Sequence, residues 1–229
     1  FRDAARLVSD VRDWTAMTET LERFADEAPI ADRQARRAAL ETRRNAALTR
    51  VDENGSLDAV ARALRAGQQR MAEWALPRVS LDREAQALAS GAGRVYRRGR
   101  KRLRKSGEPA ETASLHEWRK RAKYLFHQLK LLRPVAPGML RAHEKIAHAL
   151  ADALGDDHDL AVFSELTQDE RLFTPADGAA LRHYIARRRI EHRQPLWSLG
   201  RRVYAEPSGA FRQRLAAYIA DAACGGARH

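Results

Sequence analysis

The chain has 229 residues, of which 44% are apolar, and a formal net charge of +12. It is long enough to bury a core as one domain or as two small units. Its single cysteine, Cys224, excludes an internal disulfide framework and is typical of a reducing compartment. No apolar run approaches the ~20 residues that cross a bilayer. The basic excess favours a polyanionic partner, which is nucleic acid, an anionic membrane surface or a chain of phosphates.

The first half of the chain is predicted to be helical. Alanine, leucine, arginine and glutamate dominate, and the alternation of β-branched residues that is typical of strands does not appear. Caps and breakers predict a helix that follows Pro29 and reaches about Asp52, a second from Ser56 to Leu76 before Pro77, and a third from Ser80 towards Lys105. The predicted turns are Asn54-Gly55 and Ser106-Gly107-Glu108-Pro109.

The second half is also predicted to be helical, which makes a bundle of eight to ten helices the expected architecture. Its predicted boundaries are a capping box at Ser114 and Glu117, an end at Pro134, a stop at Gly155, a start at Thr174-Pro175 with Asp177, a bend or break at Pro195, and an end near Glu206.

The segment LHEWRKRAKYLFHQLKLL, residues 115–132, predicts an amphipathic helix with one basic face. At about 100° per residue, five basic or titratable side chains fall within roughly 60° of His116 on the helix surface. We call all six together the first stripe: His116, Arg119, Lys120, Lys123, His127 and Lys130. Leu115, Trp118 and Leu125 lie on the opposite, apolar face, and Glu117 is the one acid of the segment.

A second basic stripe precedes it in GRVYRRGRKRLRKS, residues 93–106. Its members are Arg94, Arg97, Arg98, Lys101 and Lys105. Tyr96 and Leu103 mark the side predicted to pack. Like charges at this spacing destabilise a helix, so two such stripes favour a phosphate-binding trough between antiparallel neighbours. The alternative is a basic face that serves solubility.

The histidines also raise the question of a metal site. His158-Asp159, with Asp156 and Asp157, has the dipeptide of metal-dependent phosphohydrolases of the HD type. His143 and His148, however, are five residues apart and do not share a helical face. The sequence contains no P-loop, HExxH or GxSxG motif. We therefore predict neither a metal nor another cofactor, and no enzymatic activity.

A short internal similarity suggests two related halves. The residues from Ser9 to Trp14 and those from Gly155 to Leu160 share a small residue followed by a basic-Asp-apolar triplet, each predicted to lie at a junction between helices. The same shift aligns Met17 with Phe163 and Glu19 with Glu165.

Together, LHEWRKRAKYLFHQLKLLRP and LADALGDDHDLAVFSEL resemble the CHAD family of all-helical domains. The matching positions are His116, Arg119, Lys123, Leu154-Gly155, His158, Asp159 and Leu160. FRDAARLVSDVRD resembles the end of the family's first repeat, and LGRRVYAEPSGAFRQRL its C-terminal signature. Phe126-His127 departs from the pattern, since the family often has Arg-Tyr there.

The resemblance implies an all-α helical bundle of two pseudo-symmetric halves, whose basic faces meet at a central groove or channel. It implies binding of inorganic polyphosphate, a cytoplasmic location, possible association with polyphosphate granules, and a frequent neighbouring CYTH domain. The basic positions carried over are Arg2, Arg6 and Arg12, together with Arg97, Lys101, His116, Arg119 and Lys123. His158 and Asp159 are expected to organise structure at least as much as to bind.

The repeat pattern predicts one CHAD domain in two parts. Residues 1–80 would be the C-terminal part of the first repeat, and residues 81–229 the second repeat with a short tail. The first repeat's own His-x-x-Arg-x-x-x-Lys helix is expected before Phe1.

The predicted function is non-catalytic binding of polyphosphate by the two stripes. Two alternatives stay open: general binding of nucleic acids or other polyanions, and, on His158-Asp159, a metal-dependent phosphohydrolase. The tryptophans and tyrosines that would stack on bases fall mostly on packing faces, as Trp118 and Tyr96 do.

Overall fold

The computed structural model describes residues 2–24, 26–74, 80–106 and 111–226. These residues form nine α-helices and no strand, which confirms the predicted all-α bundle. The helices are α1 (Arg2–Arg6), α2 (Ser9–Phe24), α3 (Arg33–Glu53), α4 (Ser56–Ala72), α5 (Leu81–Lys105), α6 (Thr112–Leu132), α7 (Pro137–Leu166), α8 (Pro175–Val203) and α9 (Ser208–Gly226). A short 3-10 helix, Arg133–Val135, follows α6. The predicted helix end at Leu76 and Pro77 and the turn at Gly107, Glu108 and Pro109 lie outside the described residues.

Several predicted boundaries are confirmed. Helix α8 begins at Pro175, and Thr174 Oγ1 accepts a hydrogen bond from the Asp177 amide at 3.1 Å. Gly55 forms the turn before α4 with a φ of 60°, a conformation that glycine adopts without strain. Helix α5 follows Ser80 and ends at Lys105, as predicted.

Other predicted boundaries are wrong. Helix α7 continues through Gly155, because a single glycine costs only about 1 kcal/mol and tertiary packing outweighs it. Helix α6 begins at Thr112, so Ser114 forms no capping box; its hydroxyl instead contacts that of Ser106 at 2.9 Å. Helix α8 continues through Pro195 without a break, whereas a bend at that residue stays a prediction.

Three smaller corrections concern helix ends. Helix α3 begins at Arg33 rather than after Pro29, and Asp32 caps it by accepting from the Ala35 amide. Helix α8 ends at Val203, short of Glu206. Gly55, not Ser56, occupies the N-cap position of α4.

The first of two compact units comprises residues 1–77 and 159–187. Its core is built by the apolar faces of α2 and α3 and by the parts of α7 and α8 that belong to this unit. The buried residues include Met17, Leu21, Leu40, Phe163, Phe173 and Ile185. Burial of such side chains contributes about 1.5–3 kcal/mol each.

The second unit comprises residues 78–158 and 188–229, and it contains both basic stripes. Tyr96 of α5 is fully buried and stacks on Phe211 of α9 with ring centroids 4.2 Å apart. Its hydroxyl donates to the Glu206 carbonyl at 3.0 Å. Gly99 permits a close approach, because a methyl group there would lie 2.2 Å from the Tyr204 hydroxyl. This packing holds α5 and α9 together.

The boundary between the two units after residue 77 lies close to the repeat boundary predicted at residue 80. Residues 159–187, however, belong to the first unit, whereas the sequence places them in the second repeat. The division into two homologous repeats is a statement about sequence, and it stays a prediction.

Candidate functional site

The first stripe lies on α6, opposite a buried apolar face. Leu115, Trp118, Ala122, Leu125 and Leu129 are all buried, and Trp118 is completely inaccessible. The predicted amphipathic arrangement of α6 is therefore confirmed. Fixing this face in the core directs the stripe away from it.

The stripe begins in a cluster that α6 forms with α7. The rings of His116 and His158 lie with their centroids 4.6 Å apart. Arg119, one turn along α6, lies against α7, since a methyl group on Gly155 would be 3.5 Å from Arg119 Nε. Both His116 Nδ1 and Arg119 Nε are buried and make no hydrogen bond within the described residues. Leaving buried polar nitrogens without partners is costly, and a bound water or an anionic ligand can supply the missing partner.

His158 is neutral near pH 7 in this setting. Burial, followed by the positive charges of Arg119 and His116, lowers the pKa of His158 to about 4. Arg189 of α8 acts in the same direction, while the carboxylate of Asp157 opposes it. An anion bound at the cluster would raise the pKa of His158 again.

A buried ion pair anchors α8 beside this cluster. Asp157 is 1% exposed, and it accepts two hydrogen bonds from Arg189, both at 3.0 Å, and two from Arg193, at 2.7 and 3.3 Å. Arg189 also donates to Thr112 Oγ1 at 2.9 Å. Burial alone would raise the pKa of Asp157, but these hydrogen bonds outweigh it and lower the pKa. Two guanidinium groups thus share one carboxylate.

The sequence analysis missed Arg189 and Arg193. They lie 32 and 36 residues from Asp157, so no helical periodicity connects them. The available signal was the uninterrupted run Arg187-Arg188-Arg189 in an otherwise mixed helix.

The second stripe lies on the exposed side of α5. Two adjoining clefts border it, and their other wall is α9. One cleft, of about 480 Å³, is lined by Arg97, Arg100, Lys101, Arg104, Lys105 and Ser208. The other, of about 380 Å³, is lined by Ser90, Gly93, Arg94, Arg97, Ser208, Gly209 and Arg212. Arg100, Arg104 and Arg212 were not among the predicted site residues.

Glu117 connects α5 and α6 electrostatically. It pairs with Lys120, lies 3.8 Å from Arg121 Nη2, and lies 3.9 Å from Arg102 Nη2 of α5. The hydrogen bond from Lys120 lowers the pKa of Glu117. Lys120 is therefore already paired, whereas Lys123 and His127 are exposed on the same helix. The predicted common trough between the stripes stays a prediction.

The arginines predicted from the first repeat lie in the first unit. Arg6 is exposed and pairs with Asp3 at 3.3 Å, and Arg12 pairs with Asp13 at 2.6 Å. Arg2 is part of α1, and its side chain lies outside the description. Both described arginines pair with neighbours in sequence.

The remaining histidines on α7 have partners within the protein. His143 Nε2 donates to the Val203 carbonyl at 2.9 Å, and burial lowers the pKa of His143. His148 Nδ1 lies 2.8 Å from a carboxylate oxygen of Asp152. The described residues contain no group of three or more histidine, cysteine, aspartate or glutamate side chains placed to hold a metal ion. Asp159 is partly buried at the end of the HD dipeptide.

A family model described as the CHAD domain matches residues 1–168. The chain belongs to the CHAD domain family. No curated protein and no solved structure matches it. The recognition based on the two α6–α7 motifs is therefore confirmed.

The matched part of the CHAD domain contains α1 to α7, with both stripes and His158. Helices α8 and α9 follow the match, so Arg189, Arg193 and Arg212 lie beyond it. The likeness of residues 199–215 to a CHAD C-terminal signature likewise stays a prediction. In the described part of the chain, every helix is too polar or too short to span a bilayer.

Proposed function

We propose that this CHAD domain binds inorganic polyphosphate without cleaving it. The observation that carries the proposal is the cluster of His116, Arg119 and His158 beside a solvent-facing basic stripe. Within the described part of the chain, His116 Nδ1 and Arg119 Nε are buried without a hydrogen-bond partner. Membership of the CHAD family supports the same ligand class. A linear phosphate chain presents closely spaced anionic oxygens, which suit guanidinium forks at the cluster and ammonium groups along the helix.

The arrangement of charge supports a chain rather than a single phosphate. Lys123 follows Arg119 at i+4 and His127 follows Lys123 at the same interval, so successive turns of α6 offer successive contacts. Each added phosphate contact strengthens binding and makes it more sensitive to salt, by the counterion release that governs nucleic-acid backbones. Longer chains should bind more tightly because more cations stay engaged at once.

Nucleic-acid binding is the second candidate, because one observation favours it. Tyr124, next to Lys123, is 50% exposed, and the Arg121 guanidinium lies 5.9 Å from its ring centroid. An exposed aromatic ring among cations can stack on a base. Trp118 and Tyr96 are both completely buried and offer no stacking surface.

A titration with long-chain polyphosphate at several pH values tests the proposal. We expect the chain to bind at about 0.15 M salt, and to bind more tightly as the pH falls towards 4. The sign follows from linkage: the pKa of His158 is about 4 without ligand, an anion raises it, and binding therefore takes up a proton.

The variant His158→Gln separates two outcomes. It retains His116, the neighbouring histidine, and should lose the part of the pH dependence that belongs to His158. Absence of binding by the unaltered protein would contradict the proposed function. Binding with the same pH dependence in both proteins would contradict only the role of His158.

A further inference from the structure

The concave surface between α5 and α9 carries seven cations. They are Arg94, Arg97, Arg100, Lys101, Arg104, Lys105 and Arg212. The two clefts share Arg97 and Ser208, so they form one continuous depression, which we call the α5–α9 cleft. Among the described residues, no acidic side chain lines either part of it.

The charge of this cleft is uncompensated within the described residues. Arg100 Nε donates to the Tyr204 carbonyl at 3.3 Å, which fixes its side chain without neutralising it. The remaining six cations are exposed, and none of them forms an ion pair within the part of the chain that the structure describes. By contrast, Lys120 of the first stripe and the neighbouring Arg121 have Glu117 close by. Mutual repulsion among unpaired cations is relieved when an anion binds.

Arg212 is held in place by the packing of α9 on α5. A methyl group at Gly93 would lie 3.3, 3.5 and 3.8 Å from Cβ, Cγ and Cδ of Arg212. The aliphatic stem of Arg212 therefore runs across Gly93 towards the cleft. A side chain positioned before binding loses less entropy when the ligand arrives.

The size and charge of the cleft define the ligand class. Its two parts, of about 480 and 380 Å³, are of the size that holds a small ligand. Several guanidinium forks facing one depression match the oxygens of adjacent phosphates.

We propose that the α5–α9 cleft is a separate subsite for a short oligophosphate, either free or as the end of a longer chain, and that Arg212 is one of its binding residues. The proposal rests on the proposed function for the ligand's chemistry. The subsite differs from the α6 site of the proposed function in two ways. It includes residues of α9, and a short phosphate chain is sufficient to bind it. A terminal phosphate carries up to two charges and gains most from such a concave cationic site.

The test is calorimetric titration of the whole chain with linear tripolyphosphate and, separately, with long-chain polyphosphate. We expect tripolyphosphate to bind the unaltered protein, and we expect Arg212→Glu to lower the affinity for tripolyphosphate by about tenfold or more. Arg201→Glu, a reversal of another exposed arginine in the same unit, should change it by less than about twofold.

The outcomes separate the subsite from the proposed function. If long chains bind but tripolyphosphate does not, or if Arg212→Glu leaves its affinity unchanged, the subsite is overturned and the function stands. If neither ligand binds the unaltered protein, both fail. If Arg212→Glu lowers the affinity for tripolyphosphate alone, the cleft binds free oligophosphate. If it lowers the affinity for both ligands, the cleft also binds the ends of long chains.

Discussion

Reversing Arg119 and Lys123 to glutamate is expected to reduce the affinity for long-chain polyphosphate by about 100-fold or more. The double change removes two positive charges and adds two negative ones on adjacent turns of α6. Arg119 belongs to the cluster with His158, and Lys123 is the exposed cation that follows it. The measurement is a binding titration at fixed salt, with the helical circular dichroism signal recorded for each protein.

A matched reversal controls for net charge. Arg141→Glu with Arg201→Glu makes the same change of four charge units at exposed positions of the second unit. It should weaken binding by less than about tenfold, because neither arginine belongs to a stripe or to the cluster, and a general loss of charge is screened by salt. Since Arg119 is partly buried, Lys123→Glu alone provides a variant with no effect on packing. Unchanged affinity both in the double variant and in Lys123→Glu would contradict the role of the first stripe.

Asp157→Ala is expected to destabilise the protein by about 3–5 kcal/mol. It removes the carboxylate that accepts four hydrogen bonds from Arg189 and Arg193, and it leaves both guanidinium groups without that partner. For a chain of this size the loss corresponds to a fall in Tm of about 10 °C. Thermal unfolding followed by circular dichroism measures it.

Asp152→Ala is the control on the same helix. Its side chain is 60% exposed and pairs with the half-exposed His148, so the change should alter stability by less than about 1 kcal/mol. Equal melting temperatures for the two variants would show that the buried pair contributes nothing to folding. A selective loss for Asp157→Ala would show that the buried pair with Arg189 and Arg193 stabilises the fold.

The helical content and the amphipathic faces follow from local periodicity, and these are the features that the sequence predicted well. The burial of Trp118 and Tyr96 opposite the stripes could be inferred because the basic residues mark the solvent side of each helix. Gly155 and Ser114 were read wrongly for a related reason. A glycine or a capping pair expresses a weak local preference, and the packing of α6 and α7 overrides it.

The site was predictable only where its residues share one helix. His116 and Arg119 lie one turn apart on α6, so helical periodicity predicts that they share a stripe. The family resemblance singled out His158, but its contact with His116 and Arg119 was not predicted. The pairing of Asp157 with Arg189 and the position of Arg212 over Gly93 depend on how distant helices pack, which helical periodicity does not encode.

The central claim is selectivity for a bare phosphate chain, and a competition titration tests it most directly. Labelled long-chain polyphosphate would be bound at about 0.15 M salt and challenged with single-stranded DNA, duplex DNA and RNA at matched phosphate concentration. The account predicts that these nucleic acids fail to displace it, because the proposed site on the cluster and the α6 stripe suits closely spaced phosphates. Equal displacement by nucleic acid and by unlabelled polyphosphate would contradict the account and reduce the stripes to a general polyanion surface.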